Sequence, residues 1–188
     1  MKLKYLISVF LFLLSACVSV PTQRQVQLSD NVSFNLSSPP AELIGVIHTH
    51  LIDVQFNNET KSLIAQVEYA KNKISIAAMS VSGIPLFDLI WFDNKTSEIT
   101  QYMPLPGIDL NYIVADLQWV NWPLKQLKAS LISDAAFVIQ TAALKSDWQR
   151  KLMYQDTLIM HIEKKNKQYF LHHKLRNYQI TITDLSED

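Results

Sequence analysis

The chain has 188 residues, of which 48% are hydrophobic, and its 17 basic side chains balance 17 acidic ones. This balance excludes the basic face that nucleic-acid binding requires, and the length fits one domain with a sizeable core. Only three glycines occur, and none stands in a glycine-rich phosphate loop, which excludes nucleotide chemistry.

The first 16 residues have the parts of an export signal. Lys2 and Lys4 form a positive end, and Tyr5 to Leu14 form an apolar core. This core is shorter than the roughly 20 residues that a membrane-spanning helix needs. Removal of the signal would lower the 17 basic residues to 15, against 17 acidic ones.

A lipid attachment site is predicted at Cys17, the only cysteine. Leu14-Ser15-Ala16-Cys17 has the form of a bacterial lipobox, in which the cysteine thiol is acylated before cleavage. One myristoyl chain binds a membrane only marginally, at about 0.8 kcal/mol per buried CH₂, whereas two or three chains such as palmitate hold a protein durably. Val18 follows instead of aspartate, and by the usual sorting rule this predicts the periplasmic face of the outer membrane. The alternative is an ordinary secretory signal with a chance cysteine.

Residues 17–40 are predicted to form a lipidated tether, and residues 41–188 a single domain. The tether is rich in Ser, Gln, Asn and Pro, and Ser38-Pro39-Pro40 marks the domain edge. A short strand at Val32–Leu36 is an alternative for its second half.

Residues 42–103 have the pattern of β-strands joined by short turns. Asparagines at Asn57-Asn58, Asn72 and Asn94 are expected to adopt the left-handed turn conformations that glycine usually supplies. The run Ile84–Phe92 is apolar on both faces, so it must be covered on both sides or line a cavity with one of them. The predicted strands are Val46–Phe56, Ser62–Ala70, Lys73–Val81, Ile84–Phe92 and Glu98–Met103.

The segment Ile108–Leu131 is the only one with clear helical spacing. Its apolar residues recur at intervals of three and four, and Asp109 can cap the helix start through its carboxylate. Pro123 cannot continue this helix but can open another, so a second short helix is expected after it. The apolar stripe, which we expect to pack on the sheet, consists of Leu110, Ile113, Val114, Leu117 and Val120, and continues with Leu124, Leu127 and Leu131.

The β pattern resumes after the helices, with hairpin turns at Lys165-Asn166 and Arg176-Asn177. Five strands, a helical insertion and five strands with short connections favour one antiparallel sheet curled around the helices, because parallel strands need long crossovers. The predicted fold class is therefore mainly β (α+β). The second five strands are predicted at Ala135–Leu144, Trp148–Gln155, Leu158–Lys164, Gln168–Lys174 and Tyr178–Thr183.

The helical segment also carries a family resemblance. Val114-Ala115-Asp116-Leu117-Gln118 and Asn121-Trp122-Pro123-Leu124 resemble the central motif of bacterial lipoproteins that contain a domain of unknown function (3261-type). The resemblance runs from about Pro40 to Leu175, and family members are often found beside aryl-polyene biosynthesis proteins. It implies a fold similar to the Lol lipoprotein carriers LolA and LolB, an incomplete barrel of about 10–11 antiparallel strands with a helical plug. The family has no established catalytic residues that could be assigned to this chain. The matching residues are therefore expected to be structural, and they are Asp116, Gln118, Pro123 and Arg150. Gly83 also matches the family pattern.

Apolar side chains of the doubly apolar strand and of the helices are candidates for binding a hydrophobic ligand. Large aromatic residues belong to the core in most cases. Trp119 and Trp122, near the end of the covering helix, could instead gate an apolar cavity. The candidate set is Phe87, Leu89, Trp91, Ile113, Leu117, Trp119 and Trp122.

Two polar constellations have a structural and a chemical interpretation. His48 and His50 point to one face of a strand, but without a third ligand at a recognisable spacing we expect a polar pair and no metal. Asp116 is expected to form a structural hydrogen bond from the helix to a strand, for example with Arg150, in preference to a catalytic role.

Two further sets remain open on the sequence alone. Ser130, Ser133 and Asp134 could join His161 in a hydrolase triad, although no nucleophile elbow is present. The basic run Lys164-Lys165-Asn166-Lys167 is expected to be a solvated hairpin tip, with contact to phospholipid headgroups as the alternative.

We therefore expect a lipid-anchored, non-enzymatic outer-membrane protein that binds or transfers a hydrophobic molecule of acyl or lipid type, with aryl-polyene lipid as the candidate that the resemblance suggests. The alternatives are a scaffold of a biosynthetic or export complex and, less favoured, a periplasmic esterase. No cofactor is expected, and the expected partners are the membrane through Cys17, the ligand, and export or biosynthesis proteins. A void on the order of several hundred Å³ between helix and sheet would favour carriage, and tight packing would favour scaffolding.

Overall fold

The computed structural model describes residues 24–104, 109–142 and 147–186. The export signal, Cys17 and the first part of the predicted tether lie outside these residues. So do the side chain of Leu110 and the end of the strand predicted at Ala135–Leu144. In the described ranges, no helix is long and apolar enough to cross a membrane.

Thirteen strands and two α-helices form within the described ranges, and every predicted strand is among them. A short 3₁₀ turn, Ala41–Leu43, precedes the third strand. The elements are β1 Gln25–Ser29, β2 Val32–Asn35, β3 Ile47–Phe56, β4 Glu59–Ala70, β5 Lys73–Ser80, β6 Pro85–Phe92, β7 Glu98–Gln101, α1 Leu110–Asn121, α2 Leu124–Ser130, β8 Leu131–Ile132, β9 Ala136–Ala142, β10 Trp148–Tyr154, β11 Thr157–Lys165, β12 Gln168–His173 and β13 Tyr178–Asp184.

Ten strands form one antiparallel sheet in the order β7-β6-β5-β4-β3-β13-β12-β11-β10-β9. The sheet has two halves, β3 to β7 and β9 to β13, and within each half every strand pairs with the next one along the chain. The halves meet where β3 pairs with β13, from His50 opposite Asp184 to Phe56 opposite Tyr178. The edge strands β7 and β9 are not paired with each other, so the sheet is not closed. The predicted incomplete barrel with a helical plug is confirmed, with ten strands.

Asparagine supplies most of the left-handed turn residues, as predicted. A short polar side chain tolerates this conformation better than most. Asn94 is an exception without a positive φ, and Gln155 adopts φ 50° in the β10–β11 turn, which the sequence did not indicate. The asparagines with φ between 50° and 62° are Asn57, Asn58, Asn72, Asn166 and Asn177.

Helix α1 begins and ends where the sequence predicts. Asp109 caps its start by accepting a hydrogen bond from the backbone N–H of Asn111 at 3.0 Å. Trp122 has an extended backbone, and Pro123 stands directly before α2. Unlike the amphipathic helix that was predicted, α1 is buried on every side from Val114 to Val120, so it must be covered on more than one face.

A small sheet in the order β1-β2-β8 packs on α1 from the other side, with the rings of Phe34 and Trp119 5.1 Å apart. This corrects the prediction that residues 17–40 form a tether, because from Gln25 onward they belong to the folded domain. Polar and apolar residues alternate along β1 and β2, because successive side chains of a strand face opposite sides and only one side faces the core. The apolar set is at most 4% exposed and consists of Val26, Leu28, Val32, Phe34 and Leu36.

Candidate ligand-binding cavity

A cavity of about 380 Å³ lies between the first half of α1 and the large sheet. Its walls come from the inner faces of β3, β4, β5, β6 and β13 and from one face of α1. Small-molecule sites commonly have volumes of about 300–1,000 Å³. The space between the helix and the sheet is therefore large enough for a ligand.

The sheet side of the cavity is aliphatic because of strand alternation and register. On β13, Ile180 and Ile182 stand opposite Val54 and Ile52 of β3. On β4, Leu63 stands opposite Ile52. Residues directly opposite each other in antiparallel strands share one face of the sheet, and all five of these side chains line the cavity.

The helix side of the cavity is mixed in character. Asp109, Tyr112, Ile113, Asp116 and Leu117 line it, at the intervals of three and four that place residues on one helix face. Ile113 and Leu117 continue the apolar surface, whereas Asp109, Tyr112 and Asp116 bring polar atoms. On the sheet side, the buried part of the lining adds the phenol of Tyr178 on β13.

Asp116 is a buried carboxyl group in this mixed wall. The phenol of Tyr178 on β13 donates to both of its oxygens at 2.9 Å. Burial raises the pKa of Asp116 to about 7, and the hydrogen bond from Tyr178 opposes this rise. Burial and the neighbouring carboxyl hold the pKa of Tyr178 well above its usual range. Near neutral pH, Asp116 is therefore poised between its protonated and ionised forms.

The predicted hydrogen bond between Asp116 and Arg150 is not formed. Arg150 lies at the other end of α1, where it donates to the carbonyl of Trp119 and, at 3.3 Å, to that of Trp122. It also donates to Oε1 of Gln140 at 3.1 and 2.9 Å. The last carbonyls of a helix lack intrahelical partners and carry partial negative charge, so they attract this cation. Burial lowers the pKa of Arg150 to about 10.

Gln118 and Trp122 attach α1 to the segment that follows β2. Oε1 of Gln118 accepts from the backbone N–H of Ser37, and its Nε2 donates to the Ser37 carbonyl, both at 3.0 Å. Nε1 of Trp122 donates to the hydroxyl of Ser37 at 3.0 Å. Pro123 separates α1 from α2 and so determines where α1 ends. Gln118 and Trp122 therefore hold α1 in place, and Pro123 terminates it.

The cavity reaches solvent at one end of the sheet, which we call the mouth. Glu59 and Lys61 next to the β3–β4 turn, Asp109 before α1, and Arg176 in the β12–β13 turn line it there and are exposed. Nζ of Lys61 is 3.7 Å from a carboxylate oxygen of Glu59. Cζ of Arg176 lies 3.2 Å from the ring centroid of Tyr112. The mouth is therefore charged, whereas the interior is mainly apolar.

Three of the seven predicted ligand residues line the cavity, namely Phe87, Ile113 and Leu117. Leu89 and Trp91 alternate with half-buried positions along β6, in phase with Phe87, and are buried in the core outside the cavity lining. The doubly apolar strand therefore contributes to the cavity through one residue only.

The two tryptophans of the predicted gate are not at the mouth. Trp119 packs on Phe34, and Trp122 packs on Tyr69 with ring centroids 5.7 Å apart. They are 0% and 1% exposed and lie at the end of α1 opposite the mouth. Neither lines the cavity, so they have no gating position over it.

His48 and His50 form a stacked pair on the inner face of β3, with ring centroids 5.4 Å apart. Nδ1 of His48 lies 3.5 Å from an Asp184 carboxylate oxygen, whereas neither ring nitrogen of His50 has a hydrogen-bond partner. Burial is the main cause that lowers the pKa of His50 to about 4. In the part of the chain that the structure describes, no group of three His, Cys, Asp or Glu side chains is placed to hold a metal ion.

The residues of the hydrolase triad are not connected by hydrogen bonds. Nε2 of His161 is buried without a hydrogen-bond partner, and the hydroxyl of Ser133 accepts from the backbone N–H of Ala135 at 3.4 Å. A nucleophile and its base must lie within hydrogen-bond reach of each other. This set therefore lacks the contact on which activation of a serine depends.

The basic run Lys164 to Lys167 covers the end of β11 and the two residues of the β11–β12 turn, so the predicted hairpin is confirmed. Nζ of Lys165 is 2.8 Å from a carboxylate oxygen of Glu163. In the sheet register, Gln168 at this turn stands opposite Thr183, at the end of β13 away from the mouth. The run therefore does not contribute to the cavity.

Sequence reasoning missed the sheet wall and the mouth. Tyr178, Ile180 and Ile182 alternate with polar residues, which is typical of a strand with one inward face, but the position of Ile182 opposite Ile52 depends on the pairing of β3 with β13. One sequence does not show that pairing. The sequence predicts Arg176 only as a turn residue, because nothing in it places this side chain beside the helix.

The family described as protein of unknown function (DUF3261) matches residues 48–186. The match covers most of the chain and every residue from 52 to 182 that lines the cavity. The chain therefore belongs to this family, which confirms the resemblance of its helical motif. No curated protein matches the chain.

Proposed function

We propose that this member of the DUF3261 family is a non-enzymatic protein that binds or transfers a hydrophobic molecule of acyl or lipid type. The observation that carries the proposal is the cavity of about 380 Å³ between α1 and the large sheet. An apolar void that stays empty destabilises a fold, because the residues around it lose packing contacts. A cavity of this size beside the core therefore supports a ligand as its occupant.

The lining favours an apolar chain over a polar molecule. Val54, Leu63 and Ile180 belong to a continuous aliphatic wall. Binding of an apolar chain against it is favoured by about 25 cal/mol for each Å² of apolar surface removed from water. A polar ligand would lose hydrogen bonds to water there. The buried hydrogen-bonding groups of the lining are Asp116 and Tyr178, and they already bond to each other.

In this proposal, acyl chains on Cys17 anchor the domain to the periplasmic face of the bacterial outer membrane. The export signal and the lipobox that ends at Cys17 support the anchor. The cargo is then a lipid-type molecule that is handed over during outer-membrane assembly or export, with export or biosynthesis proteins as donor or acceptor. Aryl-polyene lipid is the specific candidate, and its support is the resemblance to the lipoprotein family.

Binding of N-phenyl-1-naphthylamine, an uncharged apolar fluorophore, tests whether the cavity takes apolar molecules. The protein is the chain from residue 17 with Cys17→Ser, so that no acyl anchor is attached. Ala65 is buried in the cavity wall, and Ala65→Phe puts a ring into that space. Ala77→Phe, on the exposed side of the neighbouring strand, is the matched control. We expect Ala65→Phe to bind the fluorophore at least about ten-fold more weakly, a loss of roughly 1.4 kcal/mol, and the control to match the wild type.

Thermal unfolding of the same proteins separates a filled cavity from a damaged core. An added ring in a solidly packed core costs about 1–3 kcal/mol, whereas a ring that enters a void should leave the Tm of Ala65→Phe close to that of the wild type. Equal binding by all three proteins would contradict the cavity as the site. Absence of binding to the folded wild type would contradict carriage and favour a scaffold.

A further inference from the structure

The mouth of the cavity carries a cation that the fold does not neutralise. The guanidinium of Arg176 lies over the ring of Tyr112, with Cζ 3.2 Å from the ring centroid, and both residues line the cavity. Within the described residues, five ion pairs form and none of them includes Arg176. The cation is therefore available to a group that enters the mouth.

The other charged residues of the mouth are already engaged. Lys61 is 3.7 Å from Glu59, which reduces the net charge that either side chain presents. Asp109 uses its carboxylate to cap α1 through the backbone N–H of Asn111. Arg176 is therefore the mouth residue best placed to select the charge of a ligand.

The position of Arg176 is determined by the β12–β13 turn. Its backbone N–H donates to Nδ1 of His173 at 3.3 Å, and Asn177 next to it has φ 53°. The backbone N–H of Lys174, at the start of the turn, donates to the Ile159 carbonyl at 2.8 Å. With its backbone held in this way and its side chain stacked on Tyr112, the guanidinium loses little additional freedom when it binds an anion.

The interior of the cavity disfavours an anionic group. Asp116 faces it as an acid whose oxygens accept from Tyr178, and the surrounding side chains are mainly apolar. A carboxylate or phosphate placed there would lose its water and meet a second acid. A chain that carries such a group must therefore enter tail first and leave the group at the mouth.

We propose that the ligand is an amphiphile with an apolar chain inside the cavity and a carboxylate or phosphate head bound by Arg176 at the mouth. Arginine binds both groups through paired, charge-assisted hydrogen bonds. This inference rests on the proposed function and adds the chemical class and the orientation of the ligand.

Competition for N-phenyl-1-naphthylamine by three twelve-carbon ligands tests the head group. The ligands are dodecanoate, dodecyl phosphate and uncharged dodecan-1-ol, each used below its micelle-forming concentration at about pH 8. We expect at least one anion to bind about ten-fold more tightly than the alcohol, the scale of one charge-assisted hydrogen bond at a partly exposed site. Arg176→Gln should remove this preference and leave the affinity for the alcohol unchanged.

Lys174→Gln is the matched control, because Lys174 is an exposed cation of the same turn that does not line the cavity. It should keep the preference for the anion. Equal affinity of the wild type for the anions and the alcohol would overturn the assignment of the head while leaving carriage intact. Loss of alcohol binding in Arg176→Gln would also overturn it, because Arg176 would then shape the mouth rather than bind the head. Failure of all three ligands and of the fluorophore would instead contradict the proposed function.

Discussion

Asp116 shows how far a single residue could be predicted. The sequence indicated that its carboxyl group would form a structural hydrogen bond from the helix to a strand, and this is confirmed. The partner was wrong, because Tyr178 and not Arg150 donates to it. Helical periodicity shows which residues share a face, but it does not show which strand that face meets. The position of Tyr178 depends on the order of strands in the sheet, which one sequence does not reveal.

The raised pKa of Asp116 makes the stability of the fold depend on pH. The pKa moves from 3.8 to about 7 on folding, so between these values the folded protein keeps a proton that the unfolded chain releases. The free energy of unfolding should therefore fall as the pH rises through this range, by about 1.4 kcal/mol per pH unit where the slope is steepest. Asp116→Asn lacks this titration, so its stability relative to the wild type should rise with pH and level off above about pH 7.

Urea unfolding of both proteins at about pH 5, 6, 7 and 8 measures this difference. Both keep His50 and His173, whose pKa values burial lowers to about 4, so the contributions of these residues cancel in the comparison. Asp156→Asn in the exposed β10–β11 turn controls for the loss of one carboxylate. A difference between Asp116→Asn and the wild type that stays constant across the range would show that Asp116 does not titrate in this way.

Helix α1 shows what local pattern predicts of an element. Its cap at Asp109 and its end before Pro123 follow from local chemistry, and both are found as predicted. Its burial on every side was missed because the apolar residues of β1 and β2, such as Leu28 and Phe34, stand among polar residues that resemble a linker. Their alternation was the available signal, but two short strands are stable only against a surface that the sequence does not show.

Arg150 should be essential to the placement of α1. Its guanidinium is buried and donates to the carbonyls of Trp119 and Trp122 and to Gln140. Arg150→Met would leave these acceptors buried without partners, which should cost about 2–4 kcal/mol of unfolding free energy. Lys151→Met, at the exposed position beside it, should change stability by no more than about 0.5 kcal/mol. Urea unfolding at neutral pH measures both, and equal small effects would show that the helix end does not depend on Arg150.

At the scale of the whole molecule, the count of five strands, helices and five strands predicted one antiparallel sheet curled around the helices, and the family resemblance implied that this sheet is not closed. The structure confirms both. The location of the cavity was not predictable in the same way. The doubly apolar strand β6 drew attention to Phe87, Leu89 and Trp91, of which only Phe87 lines the cavity. Six of the lining residues come from the seam between the two halves, where Val54 meets Ile180. That seam forms only when β3 pairs with β13, which is the last strand along the chain.

The space between α1 and this seam is central to the proposed function, and native mass spectrometry tests its occupancy most directly. The Cys17→Ser protein, exported to the periplasm of the producing bacterium and purified without detergent, should contain a population that is heavier by the mass of one acyl-type molecule. Ala65→Phe should lack this population, and Ala77→Phe should retain it. A folded wild-type protein that shows only its own mass, even after incubation with dodecanoate and dodecan-1-ol, would contradict carriage of a hydrophobic ligand.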